Sequence, residues 1–256
     1  MVLTAPHRPW PVPDRPWSIV MRWHDLLFAH WPVDAGRLRE LIPASLEIDT
    51  FDGRAWIGVV PFWMTGIRHR LLPALPGLSR FEELNVRTYV VAEDKPGVWF
   101  FSLDAAHGIA VRVARATYHL PYYRAKMSTR RDGQAVEYVS CRTHRNAPAA
   151  AFAGRYQPIS NPFTAQAGTL EYFLTERYCL YAADDRGQVR RGEIDHVAWP
   201  LQRAEATLTV NTMTQSLGIA LPASDPVLHF ARRLDVVAWR TEVVGGPNDR
   251  EHQKPR

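Results

Sequence analysis

Two Asp-Gly dipeptides, at 52–53 and 132–133, each lie between two runs of residues typical of β-strands. Such a pair is the strongest short-range signal for an antiparallel hairpin, because its turn requires positive φ at both central residues. Further strand-like runs are separated by "DKPG" (94–97) and "DDRG" (184–187), without a regular alternation of strand and helix. The pattern predicts an α+β fold, mainly antiparallel β, whose sheet curls into a barrel that can hold a small ligand.

Short segments between the strands predict three or four helices. Asp, Thr and Asn residues in front of apolar-periodic runs are typical helix N-caps. The segment 107–117 fits either a helix or a strand, since its β-branched residues disfavour a helix, and we interpret it as a short helix. The predicted helices are 35–42 after Asp34, ended by Pro43; 107–117; 170–178 after Thr169; and 212–219 after Asn211.

The 256 residues suffice for one sizeable core and do not require two domains. Residues 1–20 carry several prolines and tryptophans, which favours an extended arm. We expect a single barrel domain at 21–244 and a disordered tail at 245–256, which is rich in polar residues, Gly and Pro.

Composition limits the environment and the partners. No apolar run approaches the roughly 20 residues that span a bilayer, and the N-terminus lacks a secretion signal. The two cysteines, Cys141 and Cys179, are too few for a disulfide framework, so two buried, reduced thiols in a cytoplasmic protein are expected. The net charge of +5 and the pI near 9.4 allow an anionic partner. Nucleic acid is the weaker interpretation, because the basic residues are scattered and lack interleaved aromatic residues.

Common catalytic and cofactor motifs do not occur. The ten histidines show no HxxxH spacing, and neither cysteine has the spacing of a zinc site. The chain also lacks the GxSxG, GxxxxGK and GxGxxG patterns. The sequence thus implies no metal and no cofactor.

The strand "FEELNVRTYV" (81–90) carries the first candidate site. Glu83, Asn85 and Arg87 alternate onto one face and span about 13 Å at the usual strand rise. If that face lines the barrel, Glu83 is a candidate general base and Arg87 a candidate anchor for a substrate carboxylate. A solvent-exposed face with a weak ion pair is the alternative.

The strand "PYYRAKMSTRR" (121–131) carries the second candidate site. Alternation places Tyr122, Arg124 and Lys126 on one face, opposite an apolar face. In a polar pocket, a desolvated lysine beside an arginine has a lowered pKa and can attack carbonyl groups as a neutral amine. The alternative is that all three side chains face water.

Several segments, among them "FEELNVRTYV", "LPYYRAKM", "GTLEYFLTERYCLYA" and "HVAWPLQRAEA", resemble the bacterial YqjF-like family, whose domain has no assigned function. The resemblance covers roughly residues 20–240. It implies the acetoacetate decarboxylase-like superfamily and therefore a cone-shaped, largely antiparallel β-barrel with a buried pocket. Decarboxylases of that superfamily use a lysine in a Phe-Pro-Lys-Lys stretch, which forms a Schiff base with a β-keto acid.

This sequence departs from that stretch. The resemblance places Pro121 on the proline and Tyr122 and Tyr123 on the two lysines, so the Schiff-base lysine is absent. The resemblance also places Glu83, within "FEE", on the glutamate of the decarboxylases' Tyr-x-Glu pattern. A phenol cannot form an iminium, which argues against acetoacetate decarboxylation.

These observations favour a protein that acts on or binds a small organic (keto) acid. As an enzyme it would use Glu83 as acid or base and Tyr122 as hydrogen-bond donor, with Arg87, Arg124, Asn85 and Lys126 binding substrate. The alternative is a non-catalytic binding or sensing protein. A homo-oligomer is expected because related barrels associate.

Overall fold

The computed structural model describes residues 7–71, 73, 79–108, 111, 118–184 and 186–244. Thirteen strands in this part of the chain form one sheet, accompanied by helices α1 (Ala35–Arg39) and α2 (Leu170–Thr175). The strands are β1 Ile19–Val33, β2 Glu47–Ile48, β3 Ala55–His69, β4 Arg80–Ala92, β5 Lys95–Ala105, β6 Tyr122–Asp132, β7 Ala135–Arg142, β8 Ala151–Pro158, β9 Cys179–Ala183, β10 Val189–Asp195, β11 Leu201–Asn211, β12 Val227–Ala238 and β13 Glu242–Val243. The predicted α+β class, mainly antiparallel β with few helices, is confirmed.

The sheet closes into two rings that share strands. One ring runs β12–β1–β3–β4–β5–β9–β10 and closes where β10 pairs with β12; we call it the cavity ring. The other leaves β5 through β6, β7, β8 and β11 and returns to β12; we call it the core ring. Strands β5 and β12 each branch, since β5 pairs in parallel with both β6 and β9, and β12 pairs with both β10 and β11.

Alternation along the shared strands assigns side chains to the two rings. On β4, Leu84, Val86 and Val90 belong to an apolar cluster with Tyr138 and Phe152, which come from β7 and β8 of the core ring. The opposite face of β4 lines the cavity ring. Both faces of β4 are therefore buried, which explains why the strand is almost continuously inaccessible.

The helix predictions are confirmed in part. Asp34 caps α1 and Thr169 caps α2, each accepting a hydrogen bond from a backbone N–H of the first turn. Helix α1 ends at Arg39, well before Pro43. The Arg39 guanidinium donates hydrogen bonds to the backbone carbonyls of Ile42, Pro43 and Leu46.

Of the other two helix predictions, one is wrong and one falls mostly outside the described residues. The helix expected at 212–219 is only a 3₁₀ turn at Gln215–Leu217, and it begins after Thr214, not at an Asn211 cap. Most of 107–117 lies outside the described residues, although Gly108 and Val111 are helical. The predicted disordered tail, 245–256, also lies outside them.

The Asp52-Gly53 turn forms as predicted, whereas the second turn is shifted by one residue. Asp52 and Gly53 have φ of 50° and 72°, the backbone that this turn requires. A long hairpin joins β6 to β7, but Asp132 pairs with Ala135 and lacks positive φ, so the turn lies one residue later than predicted, at Gly133 and Gln134. The hairpin expected at 52–53 is short, however, because β2 pairs with β4 and only Phe51 bridges Arg54.

The predicted N-terminal arm packs against the cavity ring. Arg8 donates to the backbone carbonyl of Ile194 and to Glu193 Oε2, the latter at 2.7 Å, and Trp10 Nε1 donates to the same carboxylate oxygen at 2.8 Å. Further along, Trp239 Nε1 donates to the carbonyl of Arg15. The described arm residues are thus attached to β10 and to the end of β12.

Both cysteines are free, but only Cys179 is buried. The expectation of a second buried thiol is wrong, since Cys141 lies on the outer face of β7. Among the described residues, no helix has the length and apolar character needed to cross a membrane.

Candidate functional site

A cavity of about 340 Å³ lies inside the cavity ring. Its wall is largely apolar and rich in aromatic side chains, with a few polar groups, a composition typical of small-molecule sites. The apolar and aromatic lining includes Met21, Trp23, Leu26, Val60, Phe62, Met64, Ile67, Phe81, Val98, Phe100, Leu103, Leu120, Leu180, Ile194 and Trp199. The polar lining comprises Glu83, Asn85, Arg87, His107, Tyr118, Tyr122, Thr175, Arg177, Glu193 and His196.

Strand β4 contributes a row of three polar side chains. Glu83, Asn85 and Arg87 line the cavity at alternate positions, and they are only 4%, 5% and 9% exposed. The alternative of a solvent-exposed face is therefore wrong. Alternation carries this face inward because the residues between them pack into the core ring.

Glu83 and Tyr122 form a buried hydrogen-bonded pair. The Tyr122 hydroxyl donates to Glu83 Oε2 at 2.7 Å. Burial raises the pKa of the Glu83 carboxyl to about 8, and the hydrogen bond from Tyr122 offsets only part of this rise. Burial and the adjacent carboxyl also raise the pKa of Tyr122 well above 10. At neutral pH, Glu83 is therefore mostly protonated and can itself donate a hydrogen bond.

Arg87 places a cation in the same wall. Its Nη2 donates to the carbonyl of Leu174 at 3.0 Å, and its guanidinium lies 5.3 Å from the Phe28 ring centroid. Within the described chain no carboxylate lies within 4.0 Å of it, and its Nε has no hydrogen-bond partner. Asn85 Oδ1, the neighbouring polar atom on β4, is also buried and has no hydrogen-bond partner among the described residues.

Strand β6 supplies only Tyr122 of the three residues predicted from it. Arg124 and Lys126 are exposed and do not line the cavity, so the expectation that they share its wall is wrong. Only Tyr122 to Arg124 pair with β5, after which β6 continues as part of the core ring. No lysine of the described chain lines the cavity. Lys95 binds the Glu193 carboxylate from the side on which the N-terminal arm packs.

Several lining residues were not predicted. Thr175 and Arg177 lie where α2 ends, and His196 and Trp199 follow β10. They reach the cavity because β9 and β10 complete its ring through pairings between distant strands, and no local periodicity marks that arrangement. The only available signal was the general excess of aromatic residues.

Arg177 and His196 differ in their electrostatic surroundings. Arg177 is paired with Asp49 at 2.6 Å, whereas burial lowers the pKa of His196 to about 4 and keeps its ring neutral. No group of three or more His, Cys, Asp or Glu residues within the described ranges has the arrangement of a metal site.

Solved structures with a similar fold include enzymes. The enduracididine biosynthesis enzyme MppR, in complex with pyruvate, matches with a TM-score of 0.64 and 9% identity over 91% of this chain and 92% of its own. Acetoacetate decarboxylase from Legionella pneumophila matches with a TM-score of 0.64 and 10% identity over 95% and 94%. These likenesses establish the acetoacetate decarboxylase-like fold.

Sequence comparison gives a nearer relative. The uncharacterized protein YqjF of Bacillus subtilis is 51% identical over 228 residues, which cover 89% of this chain and 93% of that protein. The model of the DUF2071 family, described as an uncharacterized conserved protein, matches residues 20–235. The chain therefore belongs to the DUF2071 family, with YqjF as a relative.

Proposed function

We propose that this chain binds a small organic acid of the keto-acid kind in the cavity, without forming a Schiff base. Arg87 pairs with the ligand's carboxylate, and Asn85 adds a polar contact beside it. Glu83 and Tyr122 form hydrogen bonds to a carbonyl or hydroxyl oxygen of the ligand.

The observation that carries this proposal is the charge of Arg87, with which no carboxylate of the described residues pairs within 4.0 Å. The other buried arginines of the described chain, Arg8, Arg177 and Arg191, each lie within 2.7 Å of a carboxylate oxygen. Removing an ion from water costs several kcal/mol unless a counter-charge and hydrogen bonds offset it. An anionic ligand in the cavity supplies that counter-charge, and the protonated Glu83 does not.

The fold neighbours support the same ligand class. One of them holds pyruvate, and others are acetoacetate decarboxylases. Pyruvate and acetoacetate are both keto acids. No Schiff base forms at this position, because Tyr122 stands where the resemblance assigns the lysine.

Calorimetry with a panel of keto, hydroxy and simple carboxylic acids tests the proposal. Arg87→Gln should weaken acid binding roughly tenfold or more, since a hydrogen bond to a charged group contributes about 1.5–3 kcal/mol. Arg124→Gln removes the same charge from an exposed site and is the matched control. Equal affinities for the wild type and a folded Arg87→Gln protein, or no binding of any acid, would contradict the proposal.

A second candidate function is catalysis of proton transfer, which the Glu83 pKa of about 8 favours. A general base is most effective when its pKa is near the working pH. In this reaction the ionised Glu83 removes a proton from the carbon beside a ligand carbonyl. The electrons of the C–H bond form an enolate, and the Tyr122 hydroxyl donates a hydrogen bond to its oxygen.

Proton NMR in deuterated water can separate catalysis from binding alone. An enzyme exchanges the protons beside the carbonyl faster than the free acid does, and Glu83→Gln removes this acceleration while the acid still binds. If exchange in the wild type only equals that of the free acid, the chain is a binding protein.

A further inference from the structure

Glu83 and Arg87 lie at different levels along the cavity, with Asn85 between them on β4. Glu83 pairs across the sheet with Phe62, whereas Arg87 pairs with Gly58 and lies beside the end of α2. Four residues of strand separate their Cα atoms by about 13 Å. A short keto acid has its carboxylate and carbonyl on adjacent or nearly adjacent carbons, so it spans only a small part of this distance.

Beyond Glu83 the described wall is apolar except for His107, whose ring centroid lies 6.1 Å from that of Phe81. Phe81 follows at the next inward position of β4, paired with Met64 of β3, which in turn pairs with Trp23 of β1. Ile67 lines the cavity still further along β3. An apolar ligand segment that covers this part of the wall removes its hydrophobic surface from water, whereas bound water leaves that surface hydrated.

The cavity also has room for a longer ligand. Its volume of about 340 Å³ equals the liquid volume of about eleven water molecules. If each non-hydrogen atom of a ligand is counted roughly as one water molecule, pyruvate or acetoacetate fills little more than half of this volume. A short acid would therefore leave much of the apolar wall in contact with trapped water.

From these three observations we infer that the ligand is an elongated monocarboxylic acid with an apolar chain or ring. Its carboxylate lies at Arg87, a carbonyl or hydroxyl group several bonds away lies at the Glu83–Tyr122 pair, and the apolar remainder extends towards Phe81 and Met64. This inference rests on the proposed acid-binding function and specifies its ligand class.

Ligands that differ in one feature at a time test the inference on the unmodified protein. Decanoate should bind at least about tenfold more tightly than butanoate, because each buried CH₂ contributes a factor of about four. Decanamide, which has the same chain without the charge, should bind at least about tenfold more weakly than decanoate. Likewise, 7-oxodecanoate should bind more tightly than 3-oxodecanoate, since only its carbonyl can reach Glu83 while the carboxylate remains at Arg87.

Ile67→Trp fills the apolar end at a partly exposed position. This variant should weaken binding of decanoate while leaving butanoate unaffected, and its melting temperature shows that it is folded. Arg124→Gln again serves as the control.

The outcomes distinguish the inference from the function on which it rests. If butanoate binds as tightly as decanoate and Arg87→Gln weakens both, the site binds acids but the elongated ligand is wrong. Equal binding of the two oxodecanoate isomers likewise overturns the ligand's assigned orientation. If decanamide binds as tightly as decanoate, the acid-binding function itself fails.

Discussion

Glu83 shows how far the surroundings change a residue's chemistry. Strand alternation predicted that it shares a face with Asn85 and Arg87, and the structure places all three in the cavity wall. The sequence could not show that burial outweighs the effect of Tyr122 and leaves the carboxyl protonated at neutral pH. The burial that raises this pKa comes from the closed cavity ring, and Tyr122, which opposes the rise, comes from β6, 39 positions away in the chain.

This protonation gives Glu83→Gln a predictable effect on stability. The carboxyl has an ordinary pKa of 4.5 and a folded-state pKa of about 8. As pH rises through this window, the unfolded chain loses the proton first, so the wild type loses stability. Glutamine carries no such proton, and the variant should gain stability relative to the wild type between about pH 5 and pH 8, by up to about 1.4 kcal/mol per unit of pKa difference.

Urea denaturation at pH 5, 7 and 9 measures this change. Glu82→Gln removes a carboxyl from the neighbouring, less buried position on β4 and is the control. A stability difference between Glu83→Gln and the wild type that is constant with pH would show that Glu83 is ionised in the folded protein.

Single elements were predictable where a local pattern determines them. The caps Asp34 and Thr169 are local signals, and both form as predicted. The hairpin signalled by Asp132-Gly133 also forms, with its turn one residue later, at Gly133 and Gln134. The same alternation that succeeds for β4 fails for β6. Tyr122 lies where β6 pairs with β5, but Lys126 lies beyond that pairing on the outer surface. Alternation identifies which residues share a face, but not where a strand leaves the ring.

Gly97 marks the point where β5 must approach β9. A Cβ atom at this residue would lie 2.6 Å from Cys179 Sγ and 2.7 Å from the Cys179 carbonyl oxygen. The backbone oxygen cannot move without disturbing the parallel β5–β9 pairing that begins at Val98. The glycine is thus required by space and not by a left-handed backbone.

Gly97→Ala should therefore destabilise the protein by about 1–3 kcal/mol, the usual cost of overpacking. Gly108→Ala is the matched control, because within the described part of the chain its Cβ would meet nothing closer than Arg124 at 3.9 Å. Thermal or urea unfolding of both variants provides the measurement. Equal stabilities of the two variants would show that β9 can shift at little cost.

At the scale of the whole molecule, the sequence predicted a curled antiparallel sheet but not its two rings. Their closure depends on the parallel β5–β6 and β5–β9 pairings and on the branching of β12. These pairings join residues far apart in the chain, and no local propensity specifies them. The cavity exists only because the ring closes, so its back wall from α2, β9 and β10 was not predictable.

The N-terminal arm also acts at this scale, since it attaches to β10 of the cavity ring. Arg8 donates to the Ile194 carbonyl and lies 3.5 Å from Asp195, and the buried carboxylate of Glu193 joins further contacts. Glu193 accepts from Arg8 and Trp10 of the arm and also from Lys95 of β5. Arg8→Met removes one partner of a buried ion pair, a change that typically costs about 3–5 kcal/mol. Because Lys95 still pairs with the Glu193 carboxylate, we expect the free energy of unfolding to fall by only about 2 kcal/mol, below that range.

The same variant should release the arm. Hydrogen exchange followed by mass spectrometry should show faster exchange of residues 7–18 in Arg8→Met than in the wild type. Arg22→Met is the matched control, since Arg22 pairs with Asp235 at 2.6 Å on the surface and such exposed pairs contribute about 1 kcal/mol or less. If Arg8→Met leaves exchange of the arm unchanged, Trp10 and the neighbouring backbone contacts hold it without the ion pair.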